Sequence, residues 1–165
     1  MRLARLLRNL RTTRYLTRRH FPPAVRRAIE EAIRECEARH AGEIRFVVET
    51  ALELPALWHD LPARQRALQL FGQLGVWDTA DDNGVLIYLL MADRVVEIIA
   101  DRGIAARVTE SEWATVCRQM EHHYRAGRYL EGSVGGILGV SALLARHFPG
   151  TGPGASELPA QPVLL

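Results

Sequence analysis

The chain has 165 residues, 48% of them hydrophobic, enough for one domain that buries roughly two thirds of its unfolded surface without the help of a metal or disulfide. All 21 basic residues are arginines: seven (Arg2, Arg5, Arg8, Arg11, Arg14, Arg18, Arg19) precede residue 20 with no acid among them, while the other 14 face all 19 acids and leave residues 20–165 at about −5. An acidic body without a basic, aromatic-bearing face argues against a nucleic-acid binder, and no apolar run approaches the ~20 residues that span a bilayer.

Residues 1–19 set Leu3, Leu6, Leu7, Leu10 and Leu16 among the arginines at partly helical spacing. This is the pattern of a basic amphipathic arm resting on an anionic membrane surface or a membrane-protein partner; a frayed, solvated terminus has the same spacing. Arginines interrupt the apolar stretch a signal peptide needs, and Cys36 and Cys117 sit at apolar helical positions as small core residues. The expected location is cytoplasmic, peripheral at the inner membrane if the arm binds lipid.

Residues 20–149 read as the domain and 150–165 as a Pro/Gly-rich tail. A helix is predicted from Pro22 to His40, with Val25, Ile29, Ile33 and Cys36 in one stripe. Glu43–Thr50 then alternates as a strand. Asp60 and Pro62 open a second helix that buries Leu68, Phe71 and Leu74 and ends near Gly75. Gly84–Ala92 is apolar on both alternations, which predicts a central strand covered on both faces. Arg94–Asp101 follows after one to three residues, a link so short that it can join only antiparallel neighbours. Thr109 and Glu112 form a capping-box pattern for a helix reaching Arg125, and a glycine-bearing helix spans Leu130–Phe148. The fold class is α/β: a single domain with a short mixed sheet, a βαβ crossover plus an antiparallel hairpin, and helices on both faces.

That topology brings the start of the first strand (Glu43), the loop Asp78, Asp81, Asp82, Asn83, and the end of the hairpin (Asp101, Arg102) to one end of the sheet. Converging carboxylates repel unless a cation, an arginine or protons intervene, so the functional reading is a Ca²⁺ or Mg²⁺ site with Arg102 facing an anion such as phosphate. A solvated turn, in which Asp and Asn bond their own backbone, accounts for the same spacing. Ligands of open α/β sheets favour the other end, near Thr50 and Asp93. The sequence has no Walker loop, no G-x-S-x-G, no C-x-x-C and no H-E-x-x-H, so it offers no motif for nucleotide hydrolysis, serine hydrolysis or zinc proteolysis.

Residues 83–104, N-G-V-L-I-Y-L-L-M-A-D-R-V-V-E-I-I-A-D-R-G-I, resemble the TPM domain family, as do H-A-G-E-I at His40–Ile44 and Y-R-A-G-R-Y-L-E-G at Tyr124–Gly132. The resemblance spans about residues 22–148. It implies an α/β/α arrangement, and in some members Ca²⁺ binding or phosphate-ester hydrolysis through acidic loop residues. It carries that role to Asp82, Asn83 and Gly84, and to Asp78 and Asp81. Asp101 and Arg102 depart from the family's commoner glycines. A noncatalytic adaptor at the membrane face or in a membrane-protein complex stands as the alternative to a metal-dependent phosphatase.

Overall fold

The computed structural model describes residues 3–149 and 156–165; Arg2 of the arm and residues 150–155 of the tail lie outside them. Strands β1 (Glu43–Glu49), β2 (Gly84–Leu90), β3 (Val95–Ala100) and β4 (Val163–Leu164) form one sheet in the order β3-β2-β1-β4. β1 runs parallel to β2 and to β4, and β2 pairs antiparallel with β3. The turn between Leu90 and Val95 sets the register: Val85 faces Ala100, and the Asp101 amide donates to the Gly84 carbonyl at 2.9 Å. As its uninterrupted apolar run requires, all of β2 is buried.

Helices α3 (Pro23–Glu37), α7 (Glu110–Arg125) and α8 (Tyr129–His147) cover one face, over Ile44, Phe46, Val48, Val85, Ile87 and Leu89. Helix α5 (Ala63–Gln73) covers the other, over Val47, Leu86, Tyr88 and Leu90. Each of these large side chains contributes about 1.5–3 kcal/mol by leaving water. The Thr109–Glu112 capping box opens α7. The glycines of α8 let that helix approach α7: a Cβ on Gly136 would overlap Met120, and one on Gly132 would stand 2.8 Å from the Tyr124 ring.

Three features differ from expectation. Leu68 is 51% exposed, because the inward stripe of α5 is Ala67, Leu70, Phe71 and Leu74 and residue 68 is turned about 100° from it. Helices α4 (Leu54–Trp58) and α6 (Arg102–Ala105) are too short to show a helical period in sequence. The described part of the tail is held to the sheet: Arg45 Nη1 donates to the Pro159 and Gln161 carbonyls, and Leu165 N donates to Val48 O at 2.9 Å.

The surface beneath the basic arm is the domain's own. Its two helices, α1 (Leu3–Arg11) and α2 (Arg14–His20), lie across the carboxyl ends of β1 and β2. Buried Asn9 accepts from the Leu52 amide at 2.9 Å and donates to Asp93 Oδ1 at 3.2 Å. Arg5 Nε donates to Asp93 Oδ2 at 2.7 Å and Nη1 to Asp60 at 3.0 Å. The Thr17 and Thr50 hydroxyls meet at 2.9 Å. Main-chain and carboxylate groups at the strand ends need partners once buried, and the arm supplies them.

Candidate functional site

Glu43, Asn83 and Asp101 are buried at the amino end of the parallel strands, whereas Asp78, Asp81 and Asp82 of the preceding loop are exposed. Strand pairing places Glu43 beside Gly84 and Asp101 on the other side of it. Cross-strand neighbours lie ~4.8 Å apart, so these two acids start about 10 Å from one another. Gly84 lies between them because the Val76 carbonyl rests on its Cα, where a Cβ would collide.

The two buried acids therefore look in different directions. Glu43 Oε2 accepts from the amides of Glu157 and Leu158 at 2.9 and 2.7 Å, toward the tail. Asp101 caps α6, with Oδ1 accepting from the Arg102 amide at 2.6 Å. Asn83 Nδ2 donates to the Ala41 carbonyl, and its amide donates to Thr79 Oγ1 at 3.1 Å. Asp82, at φ 50°, completes that Thr79-centred turn. Arg102 is exposed at the first position of α6.

Among the described residues three buried side-chain oxygens are left without a hydrogen-bond donor: Glu43 Oε1, Asn83 Oδ1 and Asp101 Oδ2. Each such acceptor costs roughly 1–3 kcal/mol unless something outside the protein satisfies it. Near Asp101, the Asp82 carbonyl comes within 2.7 Å, and the Asp81 carbonyl within 3.6 Å, of where a Cβ on Gly103 would stand. Gly103, two residues after Asp101, thus admits two main-chain oxygens of the acidic loop against its own backbone. Among the described residues no group of three or more Asp, Glu, His or Cys side chains could hold a metal ion. Any cation here must draw on carbonyls and Asn83 as well as carboxylates, a donor set that suits Ca²⁺ better than Zn²⁺.

Two further acids belong to this end. Glu37 accepts from the Ile44 amide at 2.8 Å and from Ser156 Oγ at 3.4 Å. Burial raises its carboxyl to about 7 and the Glu43 charge pushes the same way, against the two hydrogen bonds. Glu43 is raised as well, by burial first and then by the Glu157 and Asp81 charges. Glu37 was visible in principle, as an acid on the Ile29, Ile33, Cys36 stripe; Glu157 carries no signal beyond the tail's S-E-L-P.

The opposite end shows paired charge. Arg66 donates to both oxygens of Glu49, at 3.0 and 2.8 Å, and the Tyr88 hydroxyl donates to Glu49 at 2.6 Å. The cysteines are unpaired, and burial pushes the Cys117 thiol up to about 12, so it is not a nucleophile at neutral pH. No helix among the described residues is long and apolar enough to cross a membrane.

The family model of the TPM domain, also labelled TPM phosphatase, matches residues 18–143. The structure of the BA42 protein from the psychrophilic bacterium Bizionia argentinensis is similar over 86% of this chain and 93% of its own, at 30% identity and a TM-score of 0.75. The N-terminal domain of a P. gingivalis protein shares the fold at 24% identity and a TM-score of 0.61, over 76% and 77% of the two chains. No curated protein sequence matches significantly. With more than half its length matched and a 30% identical relative of the same architecture, the chain belongs to the TPM domain family.

Proposed function

We propose that this TPM domain binds a divalent cation, Ca²⁺ or Mg²⁺, weakly at its acidic end. The observation that supports it is Asp101 Oδ2, buried without a donor two residues before Gly103, against which the main-chain carbonyls of Asp81 and Asp82 pack. The Asp101 carboxylate and the main-chain carbonyls of Asp81 and Asp82 would hold the ion, Asn83 and Asp78 flank it, and Glu43 contributes charge rather than a ligand because its carboxylate turns to the tail. A bound cation would supply Lewis acidity toward a phosphate ester; Arg102, exposed beside Asp101, would hold the ester's charge. Titration with Ca²⁺ and Mg²⁺ followed by amide shifts should move residues 78–84 and 101–104, and Asp82→Ala with Asp101→Ala should abolish the shifts without unfolding the domain. A phosphate-ester assay run beside it tests turnover. Unchanged spectra at millimolar cation would leave a hydrogen-bonded turn only.

A second reading rests on α1. Its inward residues anchor it, while Leu3, Leu7 and Leu10 face outward at 68%, 50% and 57% exposure, flanked by arginines. Such a stripe fits an anionic membrane surface or a membrane-protein partner, with roughly 1 kcal/mol from each nearby arginine. Salt-sensitive co-sedimentation with anionic but not neutral vesicles, lost in Leu7→Glu with Leu10→Glu, is the expected result.

A further inference from the structure

Open α/β sheets favour ligands at the carboxyl ends of parallel strands, and at that end the arm, the hairpin turn and the α7–α8 junction border an open pocket of about 620 Å³. Arg8, Arg11, Arg94 and Arg125 line its rim, and Leu16, Met91 and Ala92 its apolar surface. One wall is His20 stacked on Tyr129, with ring centroids 4.1 Å apart. The single acid of the lining, Asp93, is already engaged: Oδ2 by Arg5, and Oδ1 by Asn9 and, at 3.4 Å, by Arg8. Arg125 reaches Glu121 at 2.8 Å. Among the described residues neither Arg11 nor Arg94 has an acidic partner, so the cavity keeps at least two uncompensated guanidiniums. The Arg19 and Arg94 charges add to burial in lowering the His20 pKa, which marks the same positive field. Arg94 is held at the turn with φ 53°.

We infer that this cavity binds the phosphate group of an organic phosphate ester, with Arg11 and Arg94 gripping the phosphate and the Leu16, Met91 and Ala92 surface receiving the organic part. Guanidiniums bind phosphate through paired, charge-assisted hydrogen bonds, and two unmatched ones suit a dianion better than a single carboxylate. The ester is either a soluble compound or a lipid headgroup. This inference is independent of the cation reading, since the two sites occupy opposite ends of the sheet.

The test uses the full chain, with phenyl phosphate and inorganic phosphate followed by amide and ring-proton shifts, and neutral vesicles with and without phosphatidic acid. Phenyl phosphate should shift His20, Tyr129 and Arg94 signals and bind more tightly than inorganic phosphate. Arg11→Gln with Arg94→Gln, both exposed positions where the fold tolerates change, should weaken it about tenfold or more, equivalent to removing one good charge-assisted contact. Arg34→Gln, an exposed arginine on α3, should leave it unchanged. Phosphatidic-acid vesicles bound through the same arginines would assign the headgroup as the source; phenyl phosphate bound without vesicle binding would assign a soluble ester. No shift with millimolar phenyl phosphate overturns the inference. So does equal weakening in Arg34→Gln, or loss in Arg102→Gln with Arg11→Gln and Arg94→Gln silent.

Discussion

The two ends of the sheet treat buried charge in opposite ways. At the carboxyl end the buried charges are matched: Asp93 with Arg5 and Asn9, Glu49 with Arg66 and Tyr88. At the amino end Glu37, Glu43 and Asp101 are buried and, among the described residues, none has an arginine side chain as a hydrogen-bond partner, while one oxygen each of Glu43, Asn83 and Asp101 has no donor. Matched charge holds elements together, while unmatched acceptors cost stability that the fold must recover elsewhere. The acidic end's unmatched oxygens support the cation proposal, whereas the basic end is an anchor with spare guanidiniums at its rim.

The comparison predicts unequal responses to equal substitutions. Asp93→Asn should be the most damaging, because it leaves the Arg5 guanidinium, 15% exposed, facing an amide in place of its carboxylate partner. Removing one member of a buried ion pair costs about 3–5 kcal/mol, and denaturant unfolding would show it as a lowered midpoint. A loss below about 1 kcal/mol would mean that the arm is only loosely attached. Glu37→Gln should act in the other direction and depend on pH. A carboxyl whose folded pKa is raised to about 7 from an ordinary 4.5 holds its proton more tightly in the fold. Its contribution is whole below the unfolded value and lost as pH rises through the folded one. The variant should thus match the wild type near pH ~4.5 and exceed it by about 3 kcal/mol at pH ~8, since each tenfold gain in proton affinity on folding corresponds to roughly 1.4 kcal/mol. A pH-independent difference between the two proteins would remove the burial argument at this end.

How much of this was legible depends on sequence distance. The hairpin register follows from the short link at Asp93, and β2 from nine apolar residues in a row. The acidic loop was visible because its members are contiguous, yet their spacing does not say that Asp81 and Asp82 stay in water while Asp101 is buried. That depends on α6, one turn long, and on the Val76 carbonyl seated over Gly84. The docking of the arm was beyond pattern reading. It hangs on single polar residues, Arg5, Asn9 and Thr17, whose partners in the domain are 33 to 88 positions away. An amphipathic stripe shows that a helix has two faces but not which one the domain takes; here Leu6 goes in, and Leu3, Leu7 and Leu10 stay out.

The smallest expected effect tests the comparison most directly, because it is the same change as the largest one moved to the other end. Asp101→Asn keeps an oxygen to accept from the Arg102 amide, so the cap on α6 survives, and that helix is only four residues long. The carboxylate oxygen it replaces, Oδ2, has no hydrogen bond to lose. Relief of a desolvated charge and the slightly weaker acceptor at the cap nearly offset, so the unfolding free energy should change by less than about 0.5 kcal/mol in the absence of divalent ions. Adding Ca²⁺ should then separate the proteins: binding to the folded state alone raises wild-type stability by mass action, by about 1.4 kcal/mol at tenfold excess over the dissociation constant, and leaves the variant where it was. Thermal unfolding of both, with chelator and with millimolar Ca²⁺, reads the two effects in one series. A large loss in chelator would make Asp101 a structural residue like Asp93 and erase the distinction between the two ends.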